Sequence, residues 1–193
     1  MNVYDFDHTI YNGDCTLDFY LFCVFRHPVI LICIPRQLLA IILERIGKID
    51  RTEMKSRFFC YFRKLHNIDE DVGRFWDLHE VNIKAWYKQQ QLPDDVVISA
   101  SPHFLLAEIC KRCKIDNLIA SHVNKNTGRF EGKNCCGEEK IRRYLIAFPE
   151  CSIDCFYSDS YSDEPIAMMS KKAFFVTGSR IEPWNYNRAK KRR

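Results

Sequence analysis

The sequence predicts an α/β protein whose mostly parallel sheet is covered by helices on both faces. Two observations favour this class. After Leu92 the chain alternates apolar, strand-like runs with helical patterns, an order that is typical of parallel sheets. Between a short first strand and that block, the pattern is helical over 16–91. The simplest architecture is a Rossmann-like core of residues 1–13 and 92–193, with an all-helical cap of residues 14–91 inserted after the first strand.

The bulk composition agrees with one globular domain that carries an insertion. The chain has 193 residues, and 47% of them are hydrophobic, which is enough for a core and excludes a disordered chain. The formal net charge is only +4, and part of it lies in the basic tail 189–193, so we expect a solvated tail and no nucleic-acid partner. Ten cysteines without a secreted disulfide spacing favour free thiols and hence a cytoplasmic location.

Each element has its own local signal. The segment 2–6 is predicted as a short strand, followed by a turn at 11–14 in which Gly13 supplies backbone freedom. In the cap, apolar residues spaced by three and four, as in 54–65 and 72–86, predict helices. The later runs predict, in order, a strand "DVVISAS", a helix "PHFLLAEICKRC", a strand "NLIASHV", a hairpin turn "NKNTGRFEG", a helix "GEEKIRRYLIAF", a strand "IDCFYSDS", a helix "DEPIAMMSK" and a final strand "KAFFVTG".

One stretch of the cap, residues 17–46, is more apolar than a small lid needs. Asp18, Arg26, Arg36 and two prolines are among the residues that interrupt it. No window of about 18 uncharged apolar residues remains, and a membrane-spanning helix is therefore not expected. Packing against the core, lining of an apolar substrate pocket, contact with a lipid surface and contact with a second subunit all stay open for this stretch.

Polar side chains stand at the ends of three predicted strands. Asp5 and Asp7 stand at the end of the first strand, and Ser99 ends the run "VVIS" of the next core strand. Asp159 and Asp163 follow a later strand. Because ligands bind beyond the carboxyl ends of the strands in an open parallel sheet, we expect these groups to gather at one rim.

These residue types suit phosphate chemistry. Clustered carboxylates repel one another unless a cation is present, and Mg²⁺ prefers carboxylate oxygens together with water and a substrate phosphate. Asp5 can act as a ligand and as a nucleophile, and Asp7, one strand period away, can move the proton. Lys140, in a helix ahead of the last of these strands, and Ser99 can hold the phosphoryl oxygens.

Four motifs in this order resemble those of the haloacid dehalogenase-like (HAD) superfamily of phosphohydrolases. They are "DFDHT", "VVISAS", "GEEK" and "YSDSYSDE". The helical insertion between the first two motifs, together with "DHTIYNGD", resembles subfamily IB, the branch that contains phosphoserine phosphatases and phosphatidylglycerophosphatase C-like proteins. The resemblance covers essentially the whole chain, and it implies phosphate chemistry that depends on Mg²⁺.

The resemblance also implies a role for each residue that matches a motif. Asp5 would be the nucleophile, and Asp7 would be the general acid and base. The metal would be held by the Asp5 carboxylate, the Asp7 carbonyl and Asp159. Asp163 would support Lys140 or the metal waters. The implied phosphate ligands are Ser99, Lys140 and Thr9.

The sequence departs from the family pattern at several points. Ser158 stands where a glycine usually precedes the first Asp of the fourth motif, which changes backbone freedom and not a ligand. Asp14 matches, by its distance from the first motif, an acidic residue that reads the substrate amine in phosphoserine phosphatases. For the basic residue that reads the substrate carboxylate, Arg57 is near, but the aligned spacing falls on Phe58. Asp14 and Arg57 are therefore candidate substrate contacts, and phosphoserine is not favoured.

The predicted function is a Mg²⁺-dependent phosphomonoester hydrolase that works through an aspartyl-phosphate. The apolar cap is expected to choose the substrate, either a small phosphate ester or a lipid-linked phosphate. The alternative is a non-catalytic membrane- or protein-binding module on the same scaffold. Membrane association through 17–46 and the oligomeric state both stay open beside the expected cytoplasmic location.

Overall fold

The computed structural model of the protein describes residues 1–189, and in that range it contains one six-stranded sheet. In chain order the strands are β1 (Val3–Tyr4), β2 (Val96–Pro102), β3 (Asn117–Ser121), β4 (Ile153–Ser158), β5 (Ser170–Thr177) and β6 (Arg180–Pro183). They lie in the order β3-β2-β1-β4-β5-β6, and all neighbours are parallel except β5 and β6. The predicted α/β class with a mostly parallel sheet is confirmed. The end of the basic tail, 190–193, lies outside the described residues.

Helices cover the sheet and fill the segment between its first two strands. In the described part of the chain, the first five α-helices all lie between β1 and β2, as the predicted insertion requires. The α-helices are α1 (Cys15–Arg26), α2 (Ile34–Arg45), α3 (Arg51–Phe58), α4 (Ile68–His79), α5 (Ala85–Gln90), α6 (His103–Arg112), α7 (Glu138–Ala147), α8 (Glu164–Ala167) and α9 (Tyr186–Ala189). Short 3-10 helices occupy Pro28–Cys33, Phe59–Lys64, Glu80–Asn82 and Tyr161–Asp163.

The inserted helices share one apolar core with the sheet. Phe6, just after β1, packs edge to face against Trp76 of α4, with the ring centroids 6.1 Å apart. The Trp76 indole N–H donates to the Leu105 carbonyl of α6 at 2.7 Å, which satisfies its one donor in the interior. Phe19 of α1 and Phe75 of α4 extend the same buried cluster. The core therefore continues from the sheet into the cap, and the boundaries at 13/14 and 91/92 stay a prediction.

Three elements differ from the sequence predictions. The first strand is shorter than 2–6, because just after it the chain curls into a turn in which the Ile10 N–H donates to the Phe6 carbonyl at 3.0 Å. The helix predicted in "DEPIAMMSK" is reduced to α8, because β5 already begins at Ser170. The strand predicted as the last is followed by another: Gly178, with a φ of +60°, turns the chain, and β6 pairs antiparallel with β5.

The apolar stretch 17–46 forms a bent pair of helices, α1 and α2, joined by a 3-10 helix. Among residues 1–189 no single helix is long and apolar enough to cross a membrane; α1 and Pro28–Arg45 pass that test only together, and they are bent by 118°. One side of the pair packs on the rest of the cap through Phe19, Cys23 and other buried residues. The other side is exposed, and we call it the apolar face: Leu17, Leu21, Phe25, Val29, Leu31, Ile32, Ile34, Leu38, Leu39, Ile42 and Ile46.

Candidate active site

The polar residues predicted to meet at the sheet edge line one cavity of about 400 Å³. We call it the catalytic cavity, and we call the polar residues that line it the catalytic rim. Strands β2, β1 and β4 are neighbours where the strand order reverses, so their carboxyl ends open into the same crevice. Asp5 follows β1, Ser99 lies in β2, and Asp159 follows β4. The other predicted residues that line this cavity are Asp7, Asp14, Lys140 and Asp163.

Lys140 connects two of the carboxylates. Its ammonium donates to Asp5 Oδ1 and to Asp163 Oδ2, both at 2.7 Å, and the residue is only 2% exposed. Burial by itself lowers the pKa of Lys140, but Asp163 and Asp5 outweigh it and raise the pKa, so the ammonium stays charged. The Ser158 hydroxyl also donates to Asp163 Oδ2, at 2.8 Å. The serine that departs from the resembled motif thus helps to hold this carboxylate.

Asp7 is held by hydrogen bonds from the cap and from the core. The backbone N–H of Cys15, at the start of α1, donates to Oδ1 at 2.8 Å, and the Ser101 hydroxyl donates to Oδ2 at 2.5 Å. Burial raises the pKa of Asp7, and the nearby Asp14 carboxylate adds to the increase. A carboxyl group with a raised pKa keeps its proton more readily near neutral pH, as a general acid must.

Burial also acts on Asp5 and Asp159. Loss of hydration raises the pKa of Asp5 more than the attraction of Lys140 lowers it, and Asp163 raises it further. Burial raises the pKa of Asp159 as well, with a partial offset from His8. The attraction of Lys140 therefore does not offset the effect of burial on Asp5. A further cation beside Asp5 and Asp159 would favour their ionised forms.

The donor set fits Mg²⁺ in number and type. In the range 1–189, no three His, Cys, Asp or Glu side chains converge as a metal-binding group. Mg²⁺ does not need such a group, because it commonly binds one or two carboxylates and keeps waters and a substrate phosphate as its other ligands. The under-compensated carboxylates of Asp5 and Asp159, with the Asp7 carbonyl, match that requirement.

Three of the predicted residues have other partners or lie elsewhere. Thr9 is buried and does not line the cavity; its hydroxyl accepts the Asp159 N–H at 3.0 Å and so positions that backbone. Asp14 lines the cavity, but its Oδ1 accepts the Leu17 N–H at 2.9 Å and caps α1. Arg57 forms an ion pair with Glu53 and lines a different cavity. The structure therefore does not bring Thr9 or Arg57 to the site where the sequence analysis expected them.

Helix α3 contributes two cations that the motifs did not indicate. Arg51 and Lys55 lie one turn apart and line the catalytic cavity together with Met54 and Phe58. Lys55 donates to the Ala100 carbonyl at 3.2 Å, and burial together with Arg51 lowers the pKa of Lys55. The available signal was the i, i+4 spacing of Arg51 and Lys55, which places both on one face of a helix.

One part of the cap side of the cavity is apolar. Leu17 of α1 and Ile41 of α2 line it, beside Phe58 and Phe59. Leu17 is 50% exposed and also belongs to the apolar face. The wall of the cavity is therefore continuous with that face.

The parallel sheet, the inserted helices and the carboxylate–lysine cluster define an α/β enzyme whose site lies at the sheet edge. A family model described as haloacid dehalogenase-like hydrolase matches residues 3–168, a range that contains all four motifs. The chain belongs to this haloacid dehalogenase-like hydrolase family, and the prediction that it is an enzyme is confirmed. No curated protein matches the chain.

Several solved structures have a similar fold. A protein of unknown function from Bordetella pertussis Tohama I has 17% identity and a TM-score of 0.72, over 90% of this chain and 87% of that one. A phosphoserine phosphohydrolase-like protein from Francisella tularensis subsp. tularensis SCHU S4 has 14% identity and a TM-score of 0.56, over 90% and 86%. A phospho-aspartyl intermediate analogue of phosphoserine phosphatase has 16% identity and a TM-score of 0.52, over 89% and 83%. At these identities the likeness establishes the fold.

Proposed function

We propose that the protein is a Mg²⁺-dependent phosphomonoester hydrolase of subfamily IB, acting through an aspartyl-phosphate on Asp5. The observation that carries this proposal is the contact of Lys140 with both Asp5 and Asp163 in a cavity that Asp7 and Ser99 also line. Bound Mg²⁺ would supply positive charge that stabilises the phosphoryl oxygens during transfer. The phospho-aspartyl analogue of a phosphoserine phosphatase with a similar fold adds support.

In the first step, an Asp5 carboxylate oxygen attacks the phosphorus atom and the bond from phosphorus to the ester oxygen breaks. Asp7 gives its proton to the departing oxygen, so the alcohol leaves neutral. The raised pKa of Asp7 favours this role, because the carboxyl group starts out protonated more often than an exposed one. Lys140 and Ser99 line the same cavity, which supports their role as ligands of the phosphoryl oxygens.

In the second step, the Asp7 carboxylate takes a proton from water, and the water oxygen attacks the phosphorus atom of the aspartyl-phosphate. The bond between phosphorus and Asp5 breaks, which releases inorganic phosphate and restores the carboxylate. The Cys15 N–H and the Ser101 hydroxyl hold Asp7 throughout, so the same group serves as acid and then as base. Lys140, fixed by Asp163, stabilises Asp5 as the leaving carboxylate.

The cap supports a substrate whose organic part is apolar. Leu17 and Ile41 line the same cavity as the carboxylates, and Leu17 also belongs to the apolar face. An acyl or prenyl chain that leaves the cavity over Leu17 would stay in contact with apolar surface. Arg51 and Lys55 add positive charge near the phosphate. A lipid-linked phosphate fits this arrangement better than phosphoserine does.

The catalytic proposal is tested by hydrolysis of p-nitrophenyl phosphate with and without Mg²⁺. We expect metal-dependent turnover, and we expect Asp5→Asn to lower kcat on the order of 10³-fold or more, because the amide is not a nucleophile. The matched control is Asp116→Asn, the same chemical change at an exposed position. Turnover that survives Asp5→Asn would contradict the role of Asp5 as nucleophile. No turnover on any phosphomonoester would contradict the enzyme and favour a binding module.

The substrate proposal has its own measurement. Lysophosphatidic acid and glycerol 3-phosphate share a phosphomonoester and differ in one acyl chain. We expect kcat/KM to be higher for the acylated compound, and Leu17→Gln to reduce that preference while turnover of glycerol 3-phosphate is retained. Equal kcat/KM for the two compounds would contradict a lipid-linked substrate, and the proposed phosphatase activity would still stand.

A further inference from the structure

A second cavity, of about 560 Å³, lies on the far side of α3 from the catalytic cavity. Four arginines line it, Arg36, Arg57, Arg63 and Arg129, and we call it the arginine cavity. Glu53 is the one carboxylate in its lining and is paired with Arg57. Within residues 1–189, the other three arginines form no ion pair. The cavity therefore carries a positive charge that the described protein does not compensate.

The wall of the arginine cavity is suited to a phosphate group. Guanidinium groups bind phosphate oxygens with two parallel N–H donors, and several converging arginines are a recurrent form of phosphate site. Two hydroxyls also line the cavity, those of Ser56 and Thr127. Each accepts a backbone N–H, from Phe130 at 3.1 Å and from Arg129 at 3.3 Å, which leaves the hydroxyl proton for an anionic acceptor.

The cavity is preformed, because its two halves are fixed against each other. Arg129 belongs to the hairpin that follows β3, and the other arginines belong to the cap. Gly128 lies so close to the cap that a Cβ atom there would stand 2.1 Å from the Phe59 carbonyl oxygen. Phe130 and Phe59 stack with their ring planes 8° apart. The arginine of the core is thereby held near those of the cap without a ligand.

The arginine cavity is separate from the catalytic one, and α3 lies between them. Arg57 and Glu53 face the arginine cavity, whereas Arg51 and Lys55 face the catalytic one, and none of residues 1–189 lines both. We propose that the arginine cavity is a second anion site that binds a phosphate group, supplied either by a soluble phosphate compound or by a phospholipid headgroup. A phosphate group bound there would contact both the hairpin of the core and the cap.

Inorganic phosphate is the first probe, and backbone amide NMR signals separate the two cavities. Thr127 and Phe130 report on the arginine cavity, and Ala100 reports on the catalytic rim. In Arg63→Gln/Arg129→Gln we expect the dissociation constant seen at Thr127 and Phe130 to rise about 10-fold or more, with that at Ala100 unchanged. The control Lys111→Gln/Lys172→Gln removes two exposed positive charges elsewhere and is expected to leave both constants unchanged.

Vesicles of phosphatidylcholine with and without phosphatidic acid then separate the two sources. If the phosphate belongs to a lipid, the arginine variant loses flotation with phosphatidic acid vesicles and the lysine control keeps it. If the compound is soluble, flotation is the same for both variants while the phosphate titration still differs. The proposal is overturned if wild-type Thr127 and Phe130 show no saturable response to phosphate, or if both variants respond as wild type does.

Discussion

At the catalytic rim charged side chains are buried, whereas on the apolar face large hydrophobic side chains are exposed. Lys140 is 2% exposed, while Phe25 and Ile32 of the apolar face are 85% and 71% exposed. Both placements are unfavourable for the free protein, since buried charges lose hydration and exposed apolar surface orders water. The buried charges are held in place by hydrogen bonds from several elements. The side chains of the apolar face are not covered by other residues of the described chain.

The two regions differ in whether the described protein itself supplies partners for its unfavourably placed side chains. Under the proposed function the rim binds a small, charged group, and the hydrogen bonds of its side chains fix its geometry before that group binds. The side chains of the apolar face are exposed to solvent. Covering them with an apolar partner would remove apolar surface from water, which is favourable. The proposed function connects the two, because Leu17 belongs to the face and lines the catalytic cavity.

Among the variants that test this comparison, Asp7→Asn is expected to have the largest effect, a loss of kcat. The substitution keeps the shape of the side chain but removes its acidic proton. We expect kcat to fall by about 10²–10⁴-fold on alkyl phosphates. The loss should be smaller on p-nitrophenyl phosphate, because p-nitrophenolate leaves without needing a proton. Steady-state kinetics on both esters measure this. An equal loss on the two esters would mean that Asp7 does not protonate the leaving group.

Next in size is the effect of Lys140→Met on stability. The variant leaves Asp5 and Asp163 buried without their shared counter-charge, and we expect the free energy of unfolding to fall by about 3–5 kcal/mol. Denaturant unfolding measures the change, with Lys111→Met at an exposed position as the control. Adding Asp163→Asn to Lys140→Met should recover part of the loss. If the two lysine variants are equally stable, the rim is not held together by this ion pair.

Mg²⁺ should raise the free energy of unfolding by less than Lys140→Met lowers it. At a concentration 100 times the dissociation constant, we expect the free energy of unfolding to rise by about 2.7 kcal/mol relative to EDTA, because the ion binds only the folded chain. Asp159→Asn should abolish most of this increase, and Asp116→Asn, which is exposed, should retain it. Thermal unfolding with and without the ion measures both. If Asp159→Asn shows the full increase in the free energy of unfolding, Asp159 does not bind the metal.

The smallest effect on stability is expected from the apolar face. Phe25→Ser/Ile32→Ser should change the free energy of unfolding by no more than about 0.5 kcal/mol, because both side chains already contact solvent. Phe75→Ala, in the buried cluster, should cost about 3–5 kcal/mol. The serine variant should nevertheless float less with phospholipid vesicles. Unchanged flotation would mean that this face does not contact lipid.

Much of the rim could be predicted from the sequence because a parallel sheet imposes its geometry on short motifs. Asp5 and Asp159 follow strands, and Ser99 lies in the carboxyl half of β2; the carboxyl ends of these neighbouring strands must meet, whatever the intervening helices do. Lys140 could be assigned from its motif on a helix, and its two contacts agree with that assignment. The positions of Thr9 and Arg57 could not be predicted, since each depends on the direction in which one side chain leaves a turn or a helix.

The sequence by itself determined the α/β class, the helical insertion and the residues that gather at the sheet edge, because period, order and strand ends are local properties. Only the tertiary structure decided that Arg51 and Lys55 face the catalytic cavity while Arg57 faces the arginine cavity. It also decided which side of the apolar stretch is exposed. The physical reason is that burial depends on what packs against a residue, and residues of the cap pack against segments as distant in the chain as Ala100 and Phe130.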